Sequence, residues 1–226
     1  MDDRKYLQSL INEGEHQQQD FKYRVSDALK LAKSVSAFAN TDGGRLLIGV
    51  RDDGNMSGVR DEEEIYMMHQ AAYRYCRPQA SIKFDTYHVA SSNKVSGVHG
   101  LRTIVVATIP PSDKRPICVV CDEEKPKAYI RIADENIVAS PVHLAIWRES
   151  QNTQGTMFTY TDSVRKILDV LQNQNLPLNS VVRLSRIPRP KVIILLARLI
   201  RFNVVRWEYR NQQFLFSLCQ DDTKSF

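Results

Sequence analysis

The stretch from Ser26 to Val50 constrains the fold more than any other part of the chain. Ala28, Leu31, Ala32, Val35, Phe38 and Ala39 recur at helical spacing, which predicts a helix with one apolar face. Ser26 is placed to cap it, because its side-chain oxygen can accept from first-turn amides. The pattern stops at Asn40-Thr41-Asp42-Gly43-Gly44. Asn40 is expected to bond its own backbone and fix a turn there, and Gly43 and Gly44 let the chain reverse and approach a neighbour closely. Arg45 to Val50 (RLLIGV) is almost wholly apolar, as expected of a strand covered on both faces. A doubly covered strand next to a helix requires an α/β arrangement, a mixed sheet flanked by helices.

The remaining pattern fits that frame. Residues 1–14 read as a short helix ending near Gly14, residues 20–23 as a strand, and residues 52–55 (DDGN) as a turn. A second helix is expected over 62–76, strands over 81–89 and 101–109, and a polar loop over 90–100. Residues 117–121 and 128–132 read as a hairpin, and Ser140-Pro141 as the start of a helix. A polar, aperiodic run at 151–157 separates a first domain, 1–150, from a second, 158–219. The second reads as three helices followed by a hairpin, the order of a winged helix-turn-helix module. Its third helix carries Lys191, Arg198 and Arg201 along one stripe, interrupted by Ile194. Such a stripe suits either a nucleic-acid groove or a surface for homo-oligomer formation.

Charge separates the two halves. Residues 1–150 carry 20 Lys and Arg against 21 Asp and Glu, whereas residues 151–226 carry 11 against 5. A basic segment joined to a neutral one points to phosphates or to an acidic partner. The chain opens on Met-Asp-Asp-Arg-Lys, and no apolar run approaches the length of a membrane span. The expectation is therefore a cytoplasmic protein with four reduced cysteines and no membrane partner. Cys118-Val-Val-Cys121 has metal-like spacing, but no second pair completes four ligands. The five histidines show no ligand spacing either.

Several motifs occur in a characteristic order. Glu15-His-Gln-Gln-Gln-Asp20-Phe-Lys22 is followed by Val35-Ser-Ala-Phe-Ala-Asn40-Thr-Asp-Gly43-Gly44, by Leu47-Ile-Gly-Val-Arg-Asp52-Asp-Gly54, and by Gly58-Val59. Pro110 to Pro116 and Ala128-Tyr-Ile-Arg-Ile132 complete the series. Together they resemble the Schlafen AlbA-type domain family over about residues 8–145. The resemblance implies nucleic-acid binding. In nuclease-active animal members it also implies an acidic triad that holds a divalent metal and cuts RNA. The matching positions are Glu15, Asp20 and Asp52, which would take Mg²⁺ or Mn²⁺. The second acid is usually Glu, and here Asp20 is one methylene shorter. Glu15 lies five positions before Asp20, which places them on opposite faces of a regular strand, so a shared ion requires the chain to bend. Lys22, Arg45 and Arg131 are candidate phosphate contacts. No Gly-x-x-x-x-Gly-Lys-Ser/Thr loop for a nucleotide triphosphate is present.

The first expectation is thus a non-enzymatic protein that binds DNA or RNA, acting as a transcriptional regulator. The alternatives are a metal-dependent endoribonuclease and an oligomeric assembly module.

Overall fold

The computed structural model describes residues 2–59, 62–90, 100–122, 124–151 and 159–219. The expected loop at 90–100, the expected boundary at 151–157 and the tail after Cys219 fall largely or wholly outside them. The chain divides into two compact units, residues 1–138 and 139–226.

The first unit is a mixed α/β structure. In chain order it runs α1 (Asp3–Asn12), β1 (Gln19–Lys22), α2 (Ala28–Asn40), β2 (Gly44–Ile48), α3 (Glu62–Tyr73), β3 (Cys76–Arg77) and β4 (Lys83–Ala90). It continues with β5 (Leu101–Ile109), β6 (Cys118–Cys121), β7 (Glu124–Ile132) and β8 (Glu135–Val138). One sheet has the order β1-β2-β5-β4, with β1 parallel to β2 and the other pairs antiparallel. The other has the order β3-β6-β7-β8 and is antiparallel throughout.

The doubly covered strand is found as expected. Leu46 and Ile48 enter the core formed with α2 and α3. Leu47 enters a second core, with Leu7, Leu10 and Ile11 of α1. This is the period-2 alternation of a strand buried on both faces. Helix α2 is enclosed almost all round, and Leu31, Ala32 and every residue from Ser34 to Asn40 are buried. Its many Ala and Ser residues follow from that position, since only small side chains let neighbouring backbones come close. The helix is capped by Asp27, not Ser26: the Asp27 carboxylate accepts from Leu29 N and Lys30 N. A carboxylate at this position also complements the helix dipole.

Asn40 does not serve its own turn. Its amide Nδ2 donates to Ile117 O and Tyr129 O, both at 2.9 Å, and its Oδ1 accepts from Ile117 N at 2.8 Å. Ser36, one helical turn earlier, donates to Ile117 O at 2.7 Å and accepts from Tyr129 N at 3.1 Å. The buried polar edge of α2 therefore pairs with backbone in and beside the second sheet. The turn itself is closed by Gly43 N donating to Phe38 O at 3.0 Å, with Gly43 at φ +71°. Gly44 has a different role: a Cβ there would lie 2.4 Å from the Phe38 ring.

The second unit comprises α4 (Pro141–Ser150), α5 (Asp162–Leu171), β9 (Leu176–Pro177), α6 (Leu178–Ser185), α7 (Arg189–Arg201), β10 (Val205–Arg210) and β11 (Gln213–Leu218). Its sheet has the order β10-β11-β9, all antiparallel. Ser140 caps α4 and Pro141 opens it, as the sequence predicts. The sequence pattern places that helix at the end of the first domain. It belongs instead to the second unit, because Val142 and Ala145 share a core with Val192, Leu196 and Leu199 of α7.

His143 on α4 is buried among Trp147, Trp207 and Phe214. Its Nδ1 lies 2.7 Å from Ser140 Oγ, and among the described residues its Nε2 has no hydrogen-bond partner. Burial pushes its pKa down from 6.5 to about 4, because the interior disfavours the charged ring.

Two outcomes are expected. Asn40→Ala leaves several buried backbone groups unpaired and should cost about 3 kcal/mol in urea unfolding of the intact chain. His143 takes up its proton more readily in the unfolded chain, so stability should fall as pH drops from about 6.5 to about 4, by up to about 3 kcal/mol. His143→Phe should remove that slope in pH-dependent denaturation.

Candidate functional site

The Glu15–Asp20 segment bends as a shared site would require. His16 and Gln19 exchange backbone hydrogen bonds of 2.9 and 3.1 Å, closing a tight turn. The turn returns the chain so that Glu15 Oε1 accepts from Phe21 N at 2.8 Å. Glu15 and Asp20 thereby become close neighbours. Burial, the hydrogen bond to Asp20 and its charge raise the Glu15 pKa, while the Phe21 amide and Lys22 oppose the rise.

Asp20 is buried at 4% exposure. Its Oδ2 lies 2.7 Å from Lys22 Nζ and 3.7 Å from an Arg131 nitrogen, but among the described residues it receives no well-directed hydrogen bond. Lys22 Nζ is turned toward Phe21 O, at 2.9 Å. Arg131 is 2% exposed, stacks over Phe38 at 5.1 Å and donates to Asn136 Oδ1 and Gln19 O. Its role is to neutralise Asp20 inside the fold, where an unpaired carboxylate would be costly. The sequence pattern suggests Arg131 as a phosphate contact, but an enclosed guanidinium cannot reach a strand at the surface.

Asp52 sits in an exposed turn after β2. Among the described residues no three His, Cys, Asp or Glu side chains gather to hold a metal. The trio Glu15, Asp20 and Asp52 is therefore not assembled. The Asp20 oxygen a divalent ion would need already has two cations within 4 Å.

The other candidate cations are also largely committed. Arg45 Nε donates to Gln19 Oε1 at 2.6 Å, and its NH2 pairs with Glu13. Arg198 Nε pairs with Glu149 Oε2 at 3.0 Å, and Arg201 donates to Glu149 O at 2.6 Å. Both arginines tie α7 to the end of α4. Of the stripe, Lys191 is exposed with neither an ion pair nor a side-chain hydrogen bond among the described residues, whereas Arg201 is exposed but held by the Glu149 carbonyl. Sequence reasoning missed Arg183, Arg186 and Arg189, exposed on and beside α6 and at the start of α7, and Arg210 at the β10–β11 turn. A count of charge would have found them: residues 171–219 hold eight Lys and Arg and one acid, Glu208.

The Schlafen, AlbA_2 family matches residues 15–140, so the chain belongs to that family. Membership is compatible with nucleic-acid binding. No curated protein matches the chain. Among solved structures, the DIP2311 protein from Corynebacterium diphtheriae is 18% identical with a TM-score of 0.40, over 88% of this chain and 34% of that one. The chain thus spans about a third of that protein's length. Among the described residues no helix is long and apolar enough to cross a membrane.

Glu15→Gln keeps an acceptor for Phe21 N and adds a donor for Asp20. It should raise the thermal midpoint at pH 7. The gain should shrink as pH falls through the raised Glu15 pKa, because the native carboxyl is then already protonated.

Proposed function

We propose that the protein binds nucleic acid without cutting it, acting as a transcriptional regulator whose second unit is a winged helix-turn-helix. The order α5-β9-α6-α7-β10-β11, with β9 joining the terminal hairpin, supports this reading. In such modules the second helix of the pair enters the major groove amino end first. The observation that carries the reading is the placement of Arg183, Arg186, Arg189 and Lys191. All four are exposed on α6, the α6–α7 connection and the first residues of α7, and Arg210 is exposed at the hairpin turn. Residues 171–219 hold eight cations against one acid, and those not tied to Glu149 supply the electrostatic footprint such binding needs.

Self-association is the second reading. It is supported by Leu184, Ile194 and Phe202 of this unit, which are 49%, 41% and 45% exposed. The ribonuclease reading has less support, since its three acids do not gather.

The test is binding of labelled duplex DNA and of single-stranded RNA over a salt series, with and without Mn²⁺. Arg183→Gln with Lys191→Gln should weaken duplex binding and flatten the salt dependence by about 0.9 for each phosphate no longer neutralised. Arg198→Ala with Arg201→Ala should instead lower stability by about 1–2 kcal/mol and leave the salt slope unchanged. Metal-dependent cutting would favour the ribonuclease. Unchanged binding with a shift to a smaller species in sedimentation, for a variant at Ile194, would favour the assembly module.

A further inference from the structure

We propose that Arg24 and Arg51, in the first unit, clamp one phosphate group of a nucleic-acid strand at the carboxyl ends of β1 and β2. The proposal rests on the nucleic-acid reading and adds to it a site in the first unit. β1, α2 and β2 form a crossover unit with the two strands parallel and adjacent. In α/β sheets, ligand crevices open beyond the carboxyl ends of parallel strands. Tyr23 and Arg24 directly follow β1, and Arg51 lies three residues past β2.

The Tyr23 ring gathers both arginines. Arg51 Cζ stands 4.1 Å from the ring centroid and Arg24 Cζ 4.8 Å. Each guanidinium also donates to the Tyr23 hydroxyl, at 2.9 Å and 3.0 Å. Arg51 Nε is further held by Ser57 Oγ at 2.9 Å. Two cations are thus oriented on one phenol, which brings no formal negative charge. Both arginines are exposed, and among the described residues neither makes an ion pair. Of the nearby acids, Asp27 accepts from the first amides of α2 and Asp53 accepts from Asn55 N. Asp52 is exposed in the turn. A cleft beside Arg24 is lined by Lys22, Ser26, Asp27 and Lys30.

Two forks held together with no carboxylate paired to either among the described residues, the nearby Glu64 carboxylate accepting from Val25 N, suit an anion with several acceptor oxygens. A phosphate meets that description, and arginine binds it through paired N–H groups. The same chemistry could be met by a strand phosphate or by the phosphates of a free nucleotide. The proposal commits to the strand.

The experiment measures binding of a fluorescein-labelled 20-nucleotide single-stranded RNA to the full chain over a salt series. It compares wild type, Arg24→Gln, Arg51→Gln, the double variant and Tyr23→Phe. One shared phosphate predicts that each single variant keeps most of the slope, because the remaining arginine still neutralises that phosphate, and that the double variant flattens it by about 0.7. Affinity should fall at least about tenfold in the double variant, as expected when a good charge-assisted hydrogen bond is removed. Tyr23→Phe keeps both charges and removes the hydroxyl that accepts from both guanidinium groups, so it should weaken binding with little change in slope. Additive slope reductions, one per arginine, would overturn the shared clamp. Unchanged binding in the double variant would overturn it too, and would leave the winged-helix reading standing if Arg183→Gln with Lys191→Gln still acts. If wild type binds neither RNA nor duplex DNA, the functional reading itself fails and this proposal with it. Calorimetry with inorganic pyrophosphate supplies the second arm. Binding that needs both arginines while RNA binding does not would assign the site to a free ligand and overturn the strand proposal. Thermal midpoints equal to wild type confirm that the variants fold, as expected for exposed side chains.

Discussion

The first unit depends on how helix α2 is held when it has protein on nearly every side. A helix enclosed in this way cannot leave polar side chains unpaired. Asn40 and Ser36 resolve this by bonding the backbone at Ile117 and Tyr129, some eighty to ninety residues further along. The amide supplies donors and an acceptor in one rigid group, which no apolar or singly functional side chain could replace. Because these bonds join α2 to the second sheet, they also set the helix at its distance from the first sheet. There the approach is so close that Gly44 has no room for a Cβ beside Phe38.

The same constraint decides which charges are available to a ligand. Arg131 and Lys22 are drawn to Asp20, Arg45 to Glu13 and Gln19, and Arg198 and Arg201 to Glu149. Each pairing offsets the cost of removing charge from water or fastens one element to another. Other cations stand where, among the described residues, no carboxylate meets them: Arg24 and Arg51 in the first unit, Arg183, Arg186 and Lys191 in the second. An uncompensated cation on a rigid element is better placed to meet phosphate than a paired one, because binding need not break an existing bond.

The acid pair illustrates why a motif and a site are different things. Glu15 and Asp20 are brought together by a four-residue turn, yet the charge of Asp20 is met by two basic neighbours and Asp52 stays in its own turn. Substituting Asp for the more usual Glu shortens the reach of that carboxylate by one methylene. The shorter side chain keeps it close to its own strand, among Lys22 and Arg131.

Much of the architecture was legible in the sequence because it rests on local period and turn chemistry. The extents of α2 and β5, the doubly buried β2, the Ser140-Pro141 helix start and the mixed α/β class all follow from patterns a few residues long. So did the family, since its motifs are themselves local. What the sequence by itself could not determine was partnership across distance. Nothing near Asn40 announces that its amide serves Ile117 and Tyr129, and nothing near Arg131 announces burial beside Asp20. Helix α4 follows β8 in the chain, yet its apolar face joins α7 in the second unit. Burial and ion pairing depend on which elements meet, and the tertiary structure alone decides that, because the free energy of a charge or an amide is set by its surroundings and not by its place in the chain.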